Sequence, residues 1–280
     1  MTFRAGQMPK TTPATQNVAP DGASSQAQAP NLGGRPFCIW TLQRTGGTNF
    51  KAMLNAASDA GSWEDEPFNH GRQLFRITKV LLEEDRPKKL ATQIERAMAK
   101  RKNFKHCVEV VPFPITTALI GATSAEYRHL VLYRKVTVDR LLSVEFALRT
   151  QVWGPGAERA SVDEQAAFND PLDVEKLVER AQFANFCLQK TWNLLVENNS
   201  SVAAISFEEL YSEPQEVAGQ ALARIFAAWE VPIDPSALTG MVQSLRGRGN
   251  QRTSNLYNRF KGADILQQKA NALPAFTFQN

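Results

Sequence analysis

Apolar runs alternate with amphipathic stretches along most of this chain. FCIWTL (37–42) has the length and unbroken apolarity of a buried strand. Thr48 to Ala57 then follows a helical period. GSWEDEPFNHG (61–71) reads as a loop, with Pro67 as a breaker. Leu74 to about Lys100 is amphipathic and helical, interrupted at Pro87. FKHCVEVV (104–111) predicts a second strand, TTALIGA (116–122) a short helix, YRHLVLY (127–133) a third strand, and Thr137–Trp153 a further helix. Gly154–Asp170 is polar and predicts a loop or lid. A long helix follows, opening with Pro171 near its first turn. SVAAISF (201–207) predicts a fourth strand, followed by two helices and a polar tail from Asn250 with few clear elements.

Strands alternating with helices predict an α/β fold: a three-layer parallel sheet with helices on both faces. In open sheets of that kind ligands bind beyond the carboxyl ends of the strands. Chemistry is therefore expected in the turns after Leu42, Val111, Tyr133 and Phe207. Residues 1–35 are rich in Pro, Ala, Gln, Ser and Thr without periodicity, and read as a disordered N-terminal tail before one domain over 36–280.

With 280 residues and 43% hydrophobic content, the chain has enough apolar surface for a core. A net charge of +4 does not demand nucleic acid, but suits an anionic ligand. Cys38, Cys107 and Cys187 are far apart in apolar stretches, so buried thiols are expected rather than disulfides or a zinc site. No run is long and apolar enough to span a membrane, and the N-terminus does not read as a secretory signal. A reducing, cytoplasmic location is the expectation.

The turn QRTGGTNF after the first strand gathers Arg44, Thr45, Gly46, Gly47, Thr48 and Asn49. Arg44 offers a planar cationic fork, the threonines hydroxyls, and the glycines close backbone approach to a phosphate at a helix N-terminus. A plain strand-to-helix turn accounts for the same residues. There is no GxxxxGK[ST], so a Walker A loop is excluded. After the third strand, LYRKVTVDRLLS places Arg134 at the strand end and Ser143 on the next helix.

QRTGGTNF resembles the 5′-phosphosulfate loop of sulfotransferases that use 3′-phosphoadenosine-5′-phosphosulfate (PAPS), which often runs R-[ST]-G-[GST]-T after a strand. LYRKVTVDRLLS resembles their 3′-phosphate segment, and ISFEELYSEPQEVAGQALARIFAAWEV their Y-E-[DE]-L…P segment, with Phe207 in place of the Tyr. The resemblance covers Phe37 to Val231, and is greater to bacterial and carbohydrate-type members. It implies a P-loop-NTPase-like sulfotransferase fold and a transferase that moves a sulfuryl group from PAPS to an acceptor hydroxyl on a carbohydrate or glycolipid, with no metal. By the same resemblance Arg44, Thr45, Gly46, Gly47, Thr48 and Asn49 hold the phosphosulfate, and Arg134, Lys135 and Ser143 the 3′-phosphate. Arg134 lies nine residues before Ser143, one more than in the cytosolic small-molecule enzymes, and Lys135 has their spacing. The resemblance also implies a further nucleotide contact from Arg252, in a late basic loop. Arg44 is the implied catalytic cation.

Glu66, in E-P-F, resembles the Glu base of some bacterial members. Glu64, Asp65 and His70 lie beside it, and His106 resembles the K-T-H base of cytosolic members. Trp63, Trp153 and Tyr257 are available to stack on a sugar or base, although packing explains each as well. Two other readings remain: a nucleoside-triphosphate phosphotransferase, and a non-catalytic basic module binding nucleic acid or an anionic polymer through the run 95–106.

Overall fold

The FCIWT run forms one of the two inner strands of a parallel sheet, and the order of elements around it is that of alternating strands and helices. The structure, a computed structural model, describes residues 31–84, 87–153, 165–198, 200–247, 254–274 and 276. In chain order these residues form β1 (Phe37–Thr41), α1 (Gly47–Ala56), α2 (Phe75–Glu84), α3 (Pro87–Met98), β2 (Phe104–Cys107), α4 (Phe113–Thr123), β3 (Arg128–Tyr133), α5 (Thr137–Thr150), α6 (Val174–Glu197), β4 (Val202–Ser206), α7 (Phe207–Tyr211), α8 (Gln215–Ala228), α9 (Pro235–Gly247) and α10 (Ala263–Asn271). The strands pair in parallel in the order β2-β1-β3-β4. Their carboxyl ends therefore share one edge.

Alternation along β1 divides the core. Cys38 and Trp40 face one cluster, built with α3, α4 and α6. Phe37 and Ile39 face the other, built with α1, α8 and α9. Helices thus cover both faces of an α/β sheet. A third cluster joins α5, α6 and α10 away from the sheet. No helix among the described residues is long and apolar enough to cross a membrane. All three cysteines are free and buried.

Several expected boundaries shift. β2 stops at Cys107 rather than Val111. Val108 N–H still donates to Thr41 O at 3.0 Å, but Val108–Val110 then turn away. Pro171 does not open α6; Asp173 caps it, accepting from Lys176 N–H at 3.2 Å. The polar tail contains α10 and a 3-10 turn at Ser254–Arg259, held by the inward Tyr257, Phe260, Leu266 and Ala270. Their spacing was hidden by the charged and amide residues between them. Leu32 already lies in the core and its N–H donates to Ala57 O, so packing starts before Pro36. The tail reading for 1–30 and most of the expected lid (154–164) lie outside the described residues.

A buried histidine ties β1 to β3. Trp40 Nε1–H donates to His129 Nδ1 at 3.0 Å, and His129 Nε2 faces Thr123 O at 3.2 Å. Those partners place the ring proton on Nε2. Burial lowers the His129 pKa to about 4, and burial lowers that of His106 to about 4 as well. Unfolded histidines take up a proton near 6.5, so the unfolded chain binds more protons below that pH. These two rings contribute stability that is complete above pH 6.5 and lost as pH falls toward 4. Melting temperature, followed by tryptophan fluorescence, is expected to fall between pH ~6.5 and ~5, where most carboxylates stay ionised. His129→Gln should flatten that slope; a midpoint constant across the window would refute the assignment.

A candidate anion-binding site at the carboxyl edge of the sheet

The turn between β1 and α1 is held from inside. Thr45 Oγ1 donates to Leu42 O at 2.8 Å, and the Gln43 N–H donates to Glu109 Oε1 at 2.6 Å. Arg44 and Gly46 adopt left-handed backbone angles, with φ of 63° and 76°. Gly46 caps α1 without a side-chain hydrogen bond, and no acidic residue lies in the first turn. The first N–H groups of a helix have no partner within it, so this end favours an anion.

The two glycines also have internal reasons to be glycine. A Cβ on Gly46 would lie 2.7 Å from Tyr211 Cε2, and one on Gly47 would lie 2.8 Å from Lys105 Cδ. Tyr211 donates its hydroxyl to Gly46 O at 2.9 Å. The glycines therefore admit two side chains of the protein, in addition to whatever approaches from solvent.

On one side of the turn, Arg44 Nε donates to Ser143 Oγ at 2.9 Å and its Nη1 to Trp153 O at 2.8 Å. Arg134 Nη1 donates to Arg44 O at 3.3 Å. The two arginine turns expected to share a sheet edge are thus in direct contact. Arg134 is also pinned: Asp139 lies at 3.3 Å, Glu208 at 3.9 Å, and Phe207 beneath the guanidinium at 4.3 Å. Glu208 accepts from the N–H groups of Lys135 and Val136 at 2.9 and 3.0 Å, while the Lys135 side chain is exposed.

The other side is organised by Lys105. Parallel register pairs Lys105 with Ile39, so its stem crosses Gly47 toward α1. Its Nζ donates to Thr48 Oγ1 at 2.8 Å and lies 2.9 Å from Glu66 Oε1 and 3.9 Å from Asp65 Oδ2. Lys51 completes the group, 3.0 Å from Asp65 Oδ1 and bonded to Trp63 O. Glu66 also accepts from Cys107 Sγ at 3.2 Å and from Asn69. Burial alone would raise the Glu66 carboxyl, but the charge and hydrogen bond of Lys105 and the hydrogen bond from Cys107 together outweigh it, and the pKa is lowered. Asp65 behaves likewise: burial raises it, and Lys105 and Lys51 bring it below its ordinary value. Both acids are therefore ionised at neutral pH.

His106 is excluded from this group. It pairs in register with Trp40, faces the opposite side of β2, and is fully buried against Phe68 with Nε2 on Thr116 Oγ1 at 3.0 Å. A strand's two-residue period separates it from Lys105. Glu64 is engaged by Arg72 and the Gln73 N–H, and His70 is exposed on Phe75. Tyr257 is core, Trp63 packs beneath Lys100 and Lys102, and Trp153 is half exposed. The basic run 95–106 does not form one surface, since Lys105 is buried within it. Arg252 lies outside the described residues.

Lys105, Lys51, Glu109 and Tyr211 were not singled out in the sequence. A signal existed for Lys105: a lysine inside a fully buried four-residue strand must find an acid. Nothing local marks Tyr211. No family model matches the chain, and no curated protein matches it.

Gly46→Ala is expected to destabilise the protein by about 1–3 kcal/mol, from the left-handed backbone and the displaced Tyr211 ring. Urea unfolding of Gly46→Ala and of Gly46→Ala with Tyr211→Leu separates the two. Relief in the double variant is the expected result, and identical losses would show that Tyr211 plays no part.

Proposed function

We propose that the protein is a sulfotransferase that carries a sulfuryl group from PAPS to an acceptor hydroxyl, with the fold that such enzymes share. The single observation that carries this reading is the α1 N-terminus, whose N-cap Gly46 offers no side-chain hydrogen bond, flanked by two groups that each hold basic side chains, Arg44–Ser143–Arg134 and Lys105–Thr48, with an ionised Glu66 on the second. A nucleotide with anionic groups at both ends of its ribose suits such a pair. Arg44, Ser143 and Arg134 would take the 3′-phosphate, and Gly46, Gly47, Thr48 and Asn49 the 5′-phosphosulfate.

The residues then divide the work. The acceptor oxygen attacks sulfur as the bond from sulfur to the bridging oxygen breaks, and that oxygen leaves on the 5′-phosphate with the electron pair. Glu66 takes the proton from the acceptor hydroxyl. Lys105 stabilises charge on the leaving oxygen from its position beside Thr48. This shifts the leaving-group cation from Arg44, whose side chain is turned to Ser143, to Lys105. A carboxylate with a lowered pKa is a modest base, but it is in the proton-accepting form throughout the neutral range. The acceptor class, a carbohydrate or glycolipid, rests on the likeness to bacterial members alone.

Calorimetric titration with 3′-phosphoadenosine-5′-phosphate, against 5′-AMP and ATP with Mg²⁺, tests the donor site. Micromolar binding that requires the 3′-phosphate is expected; preference for ATP with Mg²⁺ would turn the reading to a phosphotransferase, and no nucleotide binding would end it. Ser143→Ala and Arg44→Ala should each weaken binding about tenfold, equivalent to ~1.4 kcal/mol. Glu66→Gln should keep nucleotide affinity and lose about 10²–10⁴ in transfer to a hydroxyl acceptor. With Glu66 as base, transfer should rise with pH only below its ordinary value of 4.5 and be level above it. A rise centred near neutrality would indicate another base.

A further inference from the structure

Beside the turn lies a charged group that sulfuryl transfer does not use. Arg140 precedes Ser143 by one helical turn on α5 and is 3% exposed. Its Nη1 stands 3.9 Å from Glu109 Oε1, beyond hydrogen-bonding distance. That oxygen is already occupied by the Gln43 N–H. Arg140 Nη2, Glu109 Oε2 and Arg180 Nη1 on α6 are all buried without a hydrogen-bond partner. Arg180 and Arg134 both act on Arg140 as like charges, and Glu66 acts on Glu109 in the same way. Arg134 is hydrogen-bonded to Asp139, whereas among the described residues only Glu109 pairs with Arg140.

A buried guanidinium N–H without an acceptor is costly, and so is a buried carboxylate oxygen without a donor. Two such donors and one such acceptor, on α5, α6 and the β2–α4 connection, form the complement of a particular chemistry. An oxyanion supplies acceptors to both arginines, and a neighbouring hydroxyl supplies the donor to Glu109. Cys107, two residues before Glu109, donates its thiol to Glu66 at 3.2 Å, which sets the start of the β2–α4 connection beside the proposed base.

We propose that Arg140 and Arg180 bind an anionic group of the acceptor while Glu109 takes an adjacent hydroxyl, so that the acceptor is itself a hydroxy acid. The word acceptor rests on the sulfuryl-transfer reading; the oxyanion site does not. A guanidinium pair at this depth discriminates by charge, because a neutral isostere leaves both N–H groups unmet.

The test uses the whole chain and two matched pairs of probes, glucose with glucuronate and benzyl alcohol with mandelate. Calorimetry should find at least one acid bound about tenfold or more tightly than its neutral partner. Arg180→Gln, on a half-buried stretch of α6, should remove that preference and leave affinity for 3′-phosphoadenosine-5′-phosphate within about twofold. Arg140→Lys, which keeps the charge but not the fork, should reduce the preference without abolishing folding. No preference for the acid in either pair, or a preference that survives in Arg180→Gln, overturns the proposal. Acid binding that depends on Arg180 in a protein that fails to bind the nucleotide would uphold the oxyanion site and reject the donor reading.

Discussion

A lysine ammonium near the end of a buried strand must be matched by negative charge, and much of the site's architecture answers that requirement. Lys105 is set inward by the register of β2 with β1. Its stem makes a side chain at position 47 unwelcome, and its head collects Glu66, Asp65 and the Thr48 hydroxyl. The loop from Trp63 to Asn69 is thereby drawn over α1, with Lys51 completing the charge balance. Removing one partner of such a cluster leaves an uncompensated charge, which costs more than the cluster gains by existing. The arrangement is accordingly better understood as fixing position than as adding stability.

The same economy appears on the far side of the turn. Glu208 satisfies two backbone N–H groups after β3 and sits near Arg134, while Ser206 and Glu209 close α7 in a reciprocal cap. Arg134, expected as a free phosphate ligand, is therefore half committed to its own chain. A ligand that engages it must compete with Asp139 and Glu208, so selectivity at this end depends on charge strong enough to displace them.

The strands and their parallel arrangement in a sheet covered by helices were legible because an unbroken apolar run has few alternatives in a chain this size. Which face of β2 meets the β1–α1 turn was not. His106 attracts attention as a titratable residue, yet a one-residue offset puts it in the hydrocarbon core and Lys105 in the site. α10 was missed because its burial is against α5 and α6 rather than the sheet, and only a few of its residues turn inward. Glu109 and Tyr211 act through contacts distant in sequence, which no local pattern encodes.

That distance has a consequence in time. Gly46 O is held by a hydroxyl 165 residues further along the chain. At synthesis rates of roughly 5–20 residues per second, the turn emerges from the ribosome about 10–30 s before the residue that restrains it. The strand can join its first neighbours in that interval, but the turn that follows it waits. A nascent chain therefore carries a nearly complete sheet with an unfinished turn, and the final form of the candidate site arrives late, with α7, rather than with the residues of the turn itself.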